Sequence, residues 1–270
     1  MRLRLTERRL RALVPHGRSV FEIGYGSGAL LRRFLDAGWA VGGVDAGQLE
    51  VDVDPEVRRR GALTSGQLED MVPATSAGAD PDAAAAAESD GTDPAAAAAA
   101  ESAGADPDAA EVGAAADGGQ YDLVVGVHVL EHLTDPEKGL AAAYRLLRPG
   151  GTLALITPTA DSAGADWFGA AWWLLEDPTH LRFFSPDSAT RSLRRAGFDG
   201  VRVRRLALDN LSMEVASLRR RAQPVHRPAG VLPERGTVLS ALVTAPITVT
   251  ARLAHPRLRP SLELTAHRPG

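Results

Sequence analysis

The sequence predicts an α/β fold built on a parallel sheet. Three observations carry that reading. Apolar runs of strand length alternate with segments of helical spacing along most of the chain. The first such run opens into three glycines at alternate positions, "VFEIGYGSGALLRRF" over 20–34, and continues as a helix. An acid, Asp45, closes the second run. Parallel sheets build nucleotide-like sites in this order, and their ligands lie beyond the carboxyl ends of the strands, where strand order reverses.

The elements follow in chain order. "LTERRLRALV" has helical spacing and precedes the first strand at 20–24. A helix over 29–37, a strand over 40–45, a short helix over 54–60 and a weak strand over 62–65 complete the first half. "YDLVVGVH" (121–128) reads as a buried strand. "DPEKGLAAAYRLLRPGG" (135–151) is a helix started by Pro136 and stopped by Pro149, Gly150 and Gly151. A strand over 152–158, a capped helix over 185–198 and a strand over 200–208 follow. Residues 236–253 are apolar but rich in Thr and Ser, and are expected to be helical. "SLELTAHRPG" (261–270) ends the chain as a candidate strand, with Leu262, Leu264 and Ala266 alternating onto one face.

Residues 74–118 break this pattern. "SAGADPDAA" occurs there twice, at 76–84 and 102–110, and the segment holds ten acids and no basic residue. Large apolar side chains are nearly missing, so the segment cannot bury enough surface to offset its ordering entropy. The expectation is a disordered, acidic, Ala-rich insert. The whole chain of 270 residues then reads as one domain, with 209–260 a helical insertion before the final strand.

Composition excludes several classes. Cysteine is absent, which removes disulfides, thiolate metal sites and thiol nucleophiles. No run reaches the ~18 apolar residues of a spanning helix, and "MRLRLTERRL" lacks the apolar core of a signal peptide. A soluble, cytoplasmic protein is expected. Outside the acidic insert the arginines outnumber the acids but are scattered, so no nucleic-acid partner is expected.

The glycine loop admits close approach of a ligand, and the helix after it offers free N–H groups. By itself it suits either a nicotinamide cofactor or another adenosine-bearing one. The surrounding residues narrow the choice. Glu22-Ile23-Gly24-Tyr25-Gly26-Ser27-Gly28 resembles motif I of the class I S-adenosylmethionine-dependent methyltransferases. "VGGVDAG" is similar to their second motif, and "YDLVVGVHVLEHLTDPEKGLAAAYRLLRPGGTLALITPT" to their later ones. "DPTHLRFFSPDSATRSLRRAGF" resembles the region after the fifth strand in the small-molecule branch that holds quinone and glycan methyltransferases. The resemblance spans 15–208, excluding the insert.

That resemblance implies a Rossmann-like, seven-stranded, mostly parallel sheet with helices on both faces and an antiparallel C-terminal strand set between the two before it. It implies S-adenosyl-L-methionine as cofactor. Gly24, Gly26 and Gly28 would line its methionine and ribose portion, Glu22 would lie near the methionine amino group, and Asp45 would hold the ribose diol. Gln67, where the family usually has an acid, would accept from the adenine amino group, and Leu68 would pack on the adenine. His128 is expected in the cofactor-pocket wall.

"HVLEH" (128–132) also matches a zinc-peptidase pattern, but that chemistry needs both histidines on one helix face, and His128 ends a strand. Some quinone methyltransferases hold a divalent ion with acids near this segment; His128 takes the first acid's place here, and no metal is expected. His132 and His180 are the candidate catalytic side chains, His180 either as general base or as the cap of its turn. Six of thirteen aromatics fall in 167–184, and Trp167, Trp172, Trp173 and Phe184 are the candidate walls of an apolar acceptor pocket. The expected activity is methylation, at oxygen, of a small-molecule, lipid, quinone or glycan acceptor. A non-catalytic S-adenosylmethionine-binding protein is the alternative. An NAD(P)-dependent oxidoreductase fits less well, because the one lysine, Lys138, lies on an outer helix.

Overall fold

The computed structural model describes residues 2–47, 51–71, 121–175, 177–222 and 235–270. The acidic segment read over 74–118 lies outside them. Seven strands form one sheet: β1 Ser19–Ile23, β2 Ala40–Asp45, β3 Ala62–Ser65, β4 Tyr121–Val127, β5 Leu147–Pro158, β6 Asp199–Leu206 and β7 Ser261–His267. Their order is β3-β2-β1-β4-β5-β7-β6. β1 pairs in parallel with β2 and β4, and β7 runs antiparallel between β5 and β6. Strand order therefore reverses between β1 and β4, which places a crevice at their carboxyl ends.

Eight helices accompany the sheet among the described residues: α1 Arg2–Leu13, α2 Ala29–Asp36, α3 Pro55–Arg60, α4 Pro136–Leu146, α5 Ala163–Phe168, α6 Pro186–Arg195, α7 Met213–Ala222 and α8 Arg235–Ala254. The two-residue alternation of the strands divides the core. Phe21 and Ile23 of β1 join Leu140 and Ala143 of α4 and Leu193 of α6. Val20, with Leu123 and Val125 of β4, joins Leu31 and Phe34 of α2 on the other face. Both faces are buried, so the central strands read as nearly continuous apolar runs.

Two features depart from the sequence reading. β5 begins at Leu147, ahead of Pro149-Gly150-Gly151, and runs through that turn. There Tyr121 pairs with Leu147 and Leu123 with Thr152, so the extra residues form a bulge. Gly150, at φ 78°, donates to the Arg268 carbonyl, and Arg268 donates back to Gly151. The chain after β7 thus extends the pairing through what reads as a turn. α5 lies in a stretch with no helical period in the sequence, its first turn capped by Ser162.

α7 and α8 lie between β6 and β7. One side chain ties them down. Arg252 of α8 is 1% exposed and donates to Glu214 of α7 and to the carbonyls of Ala207, Asp209 and Asn210. No helix among the described residues is long and apolar enough to cross a membrane.

Candidate functional site

The β1–α2 loop uses its three glycines differently. All have positive φ: 70° at Gly24, 49° at Gly26 and 71° at Gly28. At Gly24 a Cβ would stand 2.5 Å from Val129 Cγ1, so the loop packs closely on the chain after β4. At Gly28, the N-cap of α2, a Cβ would press on Val57 of α3. At Gly26 there is open space within 4 Å, while its N–H donates to Asp45 Oδ2 at 2.7 Å. Gly26 is thus a bare, positively curved backbone facing solvent at the switch point, with room for a ligand to approach closely.

Asp45 ends β2 beside this loop and also accepts from Gly47 N–H at 2.8 Å. Its two oxygens retain lone pairs for further donors. Tyr25 lies across the same edge. Burial and then the Asp45 charge raise its phenol, while a bond with Ser65 lowers it. Tyr25 was not among the residues read from the sequence; its place between two motif glycines is the signal that marks it.

Glu22 follows the parity of Val20 and points under α2. It accepts from the Leu31 N–H, one of the unsatisfied donors of the helix start. Its Oε2 is buried without a partner. Burial, with the nearby Asp45 charge adding to it and the Leu31 bond opposing it, pushes the carboxyl up to about 8. Glu22 is therefore mostly a neutral acid at pH 7, with an O–H to offer.

His128 directly follows β4 in a left-handed backbone conformation, φ 56°. Its Nδ1 lies 3.2 Å from Glu131 Oε1 and its Nε2 3.1 Å from Asp209 Oδ2. Burial opposes the charged ring, but the bonds to Asp209 and Glu131 outweigh it and raise the pKa to about 10. His128 is an imidazolium with both N–H groups donated. The acids are held in turn: Ser261 donates to Asp209 at 2.7 Å and Thr157 to Glu131 at 3.0 Å. Asp209 was not read from the sequence; the Asp-Asn pair after β6 is a turn signal, and only the fold brings it to His128.

His132 and His180 meet at the mouth, with ring centroids 4.8 Å apart. His180 Nδ1 lies 2.6 Å from the Leu174 carbonyl, and His132 Nδ1 lies 2.9 Å from the Thr179 carbonyl. Each Nδ1 thus donates, and in the neutral ring Nε2 keeps its lone pair. Ligand atoms of Glu131, His132 and His180 fall within 4.8 Å of one another, but the Glu131 oxygens already accept from His128 and Thr157.

The candidate acceptor aromatics separate. Trp172 and Phe184 are buried, Trp172 against Met213 of α7 and Phe184 in the main core. Trp173 is partly exposed beside Trp172, its backbone N–H donating to the Ser217 hydroxyl. Trp167 is 63% exposed. Gln67 is exposed, while Leu68 is buried in the core on the α4 side.

A family model described as a methyltransferase domain matches residues 1–203. The chain belongs to the methyltransferase domain family. Ubiquinone biosynthesis O-methyltransferase of Cereibacter sphaeroides is 36% identical over 94 residues, 32% of this chain and 38% of that protein. This chain thus spans well under half the length of that relative. Haemonchus contortus phosphoethanolamine N-methyltransferase 2, solved with S-adenosylhomocysteine, superposes with TM-score 0.51 at 14% identity, over 98% of this chain and 53% of that one. The cyclase SpnF superposes with TM-score 0.53 at 17% identity, over 99% and 81%. The family's fold thus accommodates more than one chemistry, and the site residues must carry the choice.

Proposed function

We propose that this methyltransferase uses S-adenosyl-L-methionine to methylate the oxygen of a small, largely apolar acceptor. The observation that carries the reading is the open, positive-φ backbone at Gly26 with the Asp45 carboxylate beside it, at the switch point of a methyltransferase-family sheet. The residues fit the cofactor. Gly24, Gly26 and Gly28 form the cradle, Asp45 accepts from ribose hydroxyls, and Glu22, two residues before Gly24, keeps a buried oxygen without a partner. Gln67 accepts from the adenine amino group, with Leu68 behind it. The quinone methyltransferase relative supports the small-molecule class of acceptor.

When bound, the cofactor supplies a methyl carbon already electrophilic on its sulfonium. The protein's part is alignment and exclusion of water. His128 cannot take a proton, since both ring nitrogens donate to carboxylates. His180 is the better base: its Nδ1–H is fixed on the Leu174 carbonyl, which leaves Nε2, 3.9 Å from Asp177 Oδ2, to take the proton of an acceptor hydroxyl. His132 packs on its ring and steers it. Trp173, with the buried Trp172 in the same cluster behind it, forms the apolar wall, and Trp167 stands at its outer rim.

The test is a screen with isotopically labelled S-adenosylmethionine over lipid, quinone and glycan extracts. The proposal expects label in an extractable product and its loss in His180→Ala with cofactor binding kept. Absence of transfer from a cofactor-loaded enzyme would leave a binding protein in its place.

A further inference from the structure

α8 is built inside out. Its exposed positions are Leu239, Leu242, Val243, Pro246, Ile247, Thr250 and Leu253, at the i, i+3, i+4, i+7 spacing of a single helix face. Ile247 and Val243 are each 75% exposed. No charged residue stands on that face between 239 and 251. The side turned to the protein carries only the small Ala241 as a buried apolar residue, beside Ser240, Thr244, Thr248 and the buried Arg252. A surface helix ordinarily does the reverse. Two threonines bond within the helix: Thr244 on the inward side donates to the Ser240 carbonyl at 3.0 Å, and Thr250 on the exposed side to the Pro246 carbonyl at 2.8 Å. They ask nothing of water.

The chemistry beside this face is cationic. α7 packs against α8 and ends in Arg219, Arg220 and Arg221, next to the exposed Leu218. Residues 210–260 hold eight arginines against two glutamates, in a chain whose net charge is −4; of these, Arg252 is buried on Glu214 and Arg257 pairs with Asp166. Arg221 Nη1 reaches the carbonyl of the exposed Trp167 at 3.4 Å. An apolar helix face, adjacent arginines and an outward tryptophan form the set that seats a helix in the interface of an anionic bilayer. A second copy of the chain suits the surface less well, since a two-fold contact through α8 brings two arginine-rich α7 ends together.

We propose that the exposed face of α8, with the arginines at the end of α7, docks this protein on anionic lipid surfaces. The proposal rests on this surface and is independent of the methyl-transfer reading.

The experiment is co-sedimentation of the full chain with vesicles of phosphatidylcholine alone and of phosphatidylcholine with phosphatidylglycerol, read beside its mass by light scattering. Expected is binding to the anionic vesicles, weakened by salt, by R219S/R221S and at least about tenfold by V243D/I247D. Circular dichroism and thermal melting confirm that the variants are folded; L239S/L242S serves as a second apolar pair should V243D/I247D fail to fold. Equal binding by folded apolar variants would overturn the proposal. So would a chain that stays off both vesicle types, including one that dimerises through this face.

Discussion

The charge clamp on His128 should appear as a pH-dependent part of the protein's stability. In Asp209→Asn the ring keeps Glu131 but loses the carboxylate 3.1 Å from Nε2. The His128 pKa is raised from 6.5 to about 10. At about 1.4 kcal/mol per unit, that is an upper limit of ~5 kcal/mol shared by both carboxylates. One charge-assisted bond is worth roughly 1.5–3 kcal/mol, so the substitution should cost about 2 kcal/mol. The raised pKa fixes the direction. The contribution is complete below pH 6.5 and is lost as pH climbs through 10. Wild-type Tm should exceed that of the variant by roughly 4–8 °C at pH 6, and the gap should narrow steadily between pH 6.5 and 10. Glu22 also sheds stability as pH rises, but it does so in both proteins and cancels in the difference. Thermal melting by circular dichroism, at matched ionic strength, reads the gap. A gap that is constant with pH, or absent, would refute the imidazolium between two acids.

Three further outcomes are expected. Gly24→Ala should destabilise by ~2–3 kcal/mol through positive φ and the Val129 contact, whereas Gly26→Ala, facing open space, should cost only about 1 kcal/mol but impair cofactor binding; equal melting losses would contradict the division of labour. Arg252→Met should lower stability by roughly 3–5 kcal/mol, because Glu214 and three carbonyls lose their donor; denaturant unfolding checks this, and a neutral result would mean α8 is held by other contacts. Glu22→Gln copies the neutral carboxyl and should melt like wild type near pH 4.5, then increasingly above it as pH rises towards 8, because only wild type declines over that range; an unchanged decline in the variant would assign it to another group.

Local patterns were legible in the sequence. The strand, glycine loop, helix and Asp45 lie within residues 19–45, and their geometry follows from period, positive φ and strand ends. The antiparallel β7 at 261–267 followed from the family resemblance and its alternating Leu262, Leu264 and Ala266. Long-range contacts were not legible. Asp209 and His128 are 81 residues apart, and nothing local in either marks the other. Trp167 and Trp172 share one aromatic run, yet one is exposed and the other buried, because α7 covers only the second through Met213. Glu22 reads as an acid in the motif; its neutrality comes from burial under α2, which the motif does not encode. The reversal of polarity on α8 is invisible to periodicity, since a stripe of Leu, Val and Ile has the same spacing whichever way it faces.

The central claim is that Gly26 and Asp45 hold an adenosine-bearing methyl donor. Calorimetric titration of S-adenosylmethionine into wild type and Asp45→Ala, with NADH as comparison, tests it most directly. The account predicts saturable binding of S-adenosylmethionine, no heat with NADH, and more than about tenfold weaker binding in the variant, from the loss of one or two charge-assisted bonds. Binding of NADH instead, or equal affinity in a folded Asp45→Ala, would contradict it.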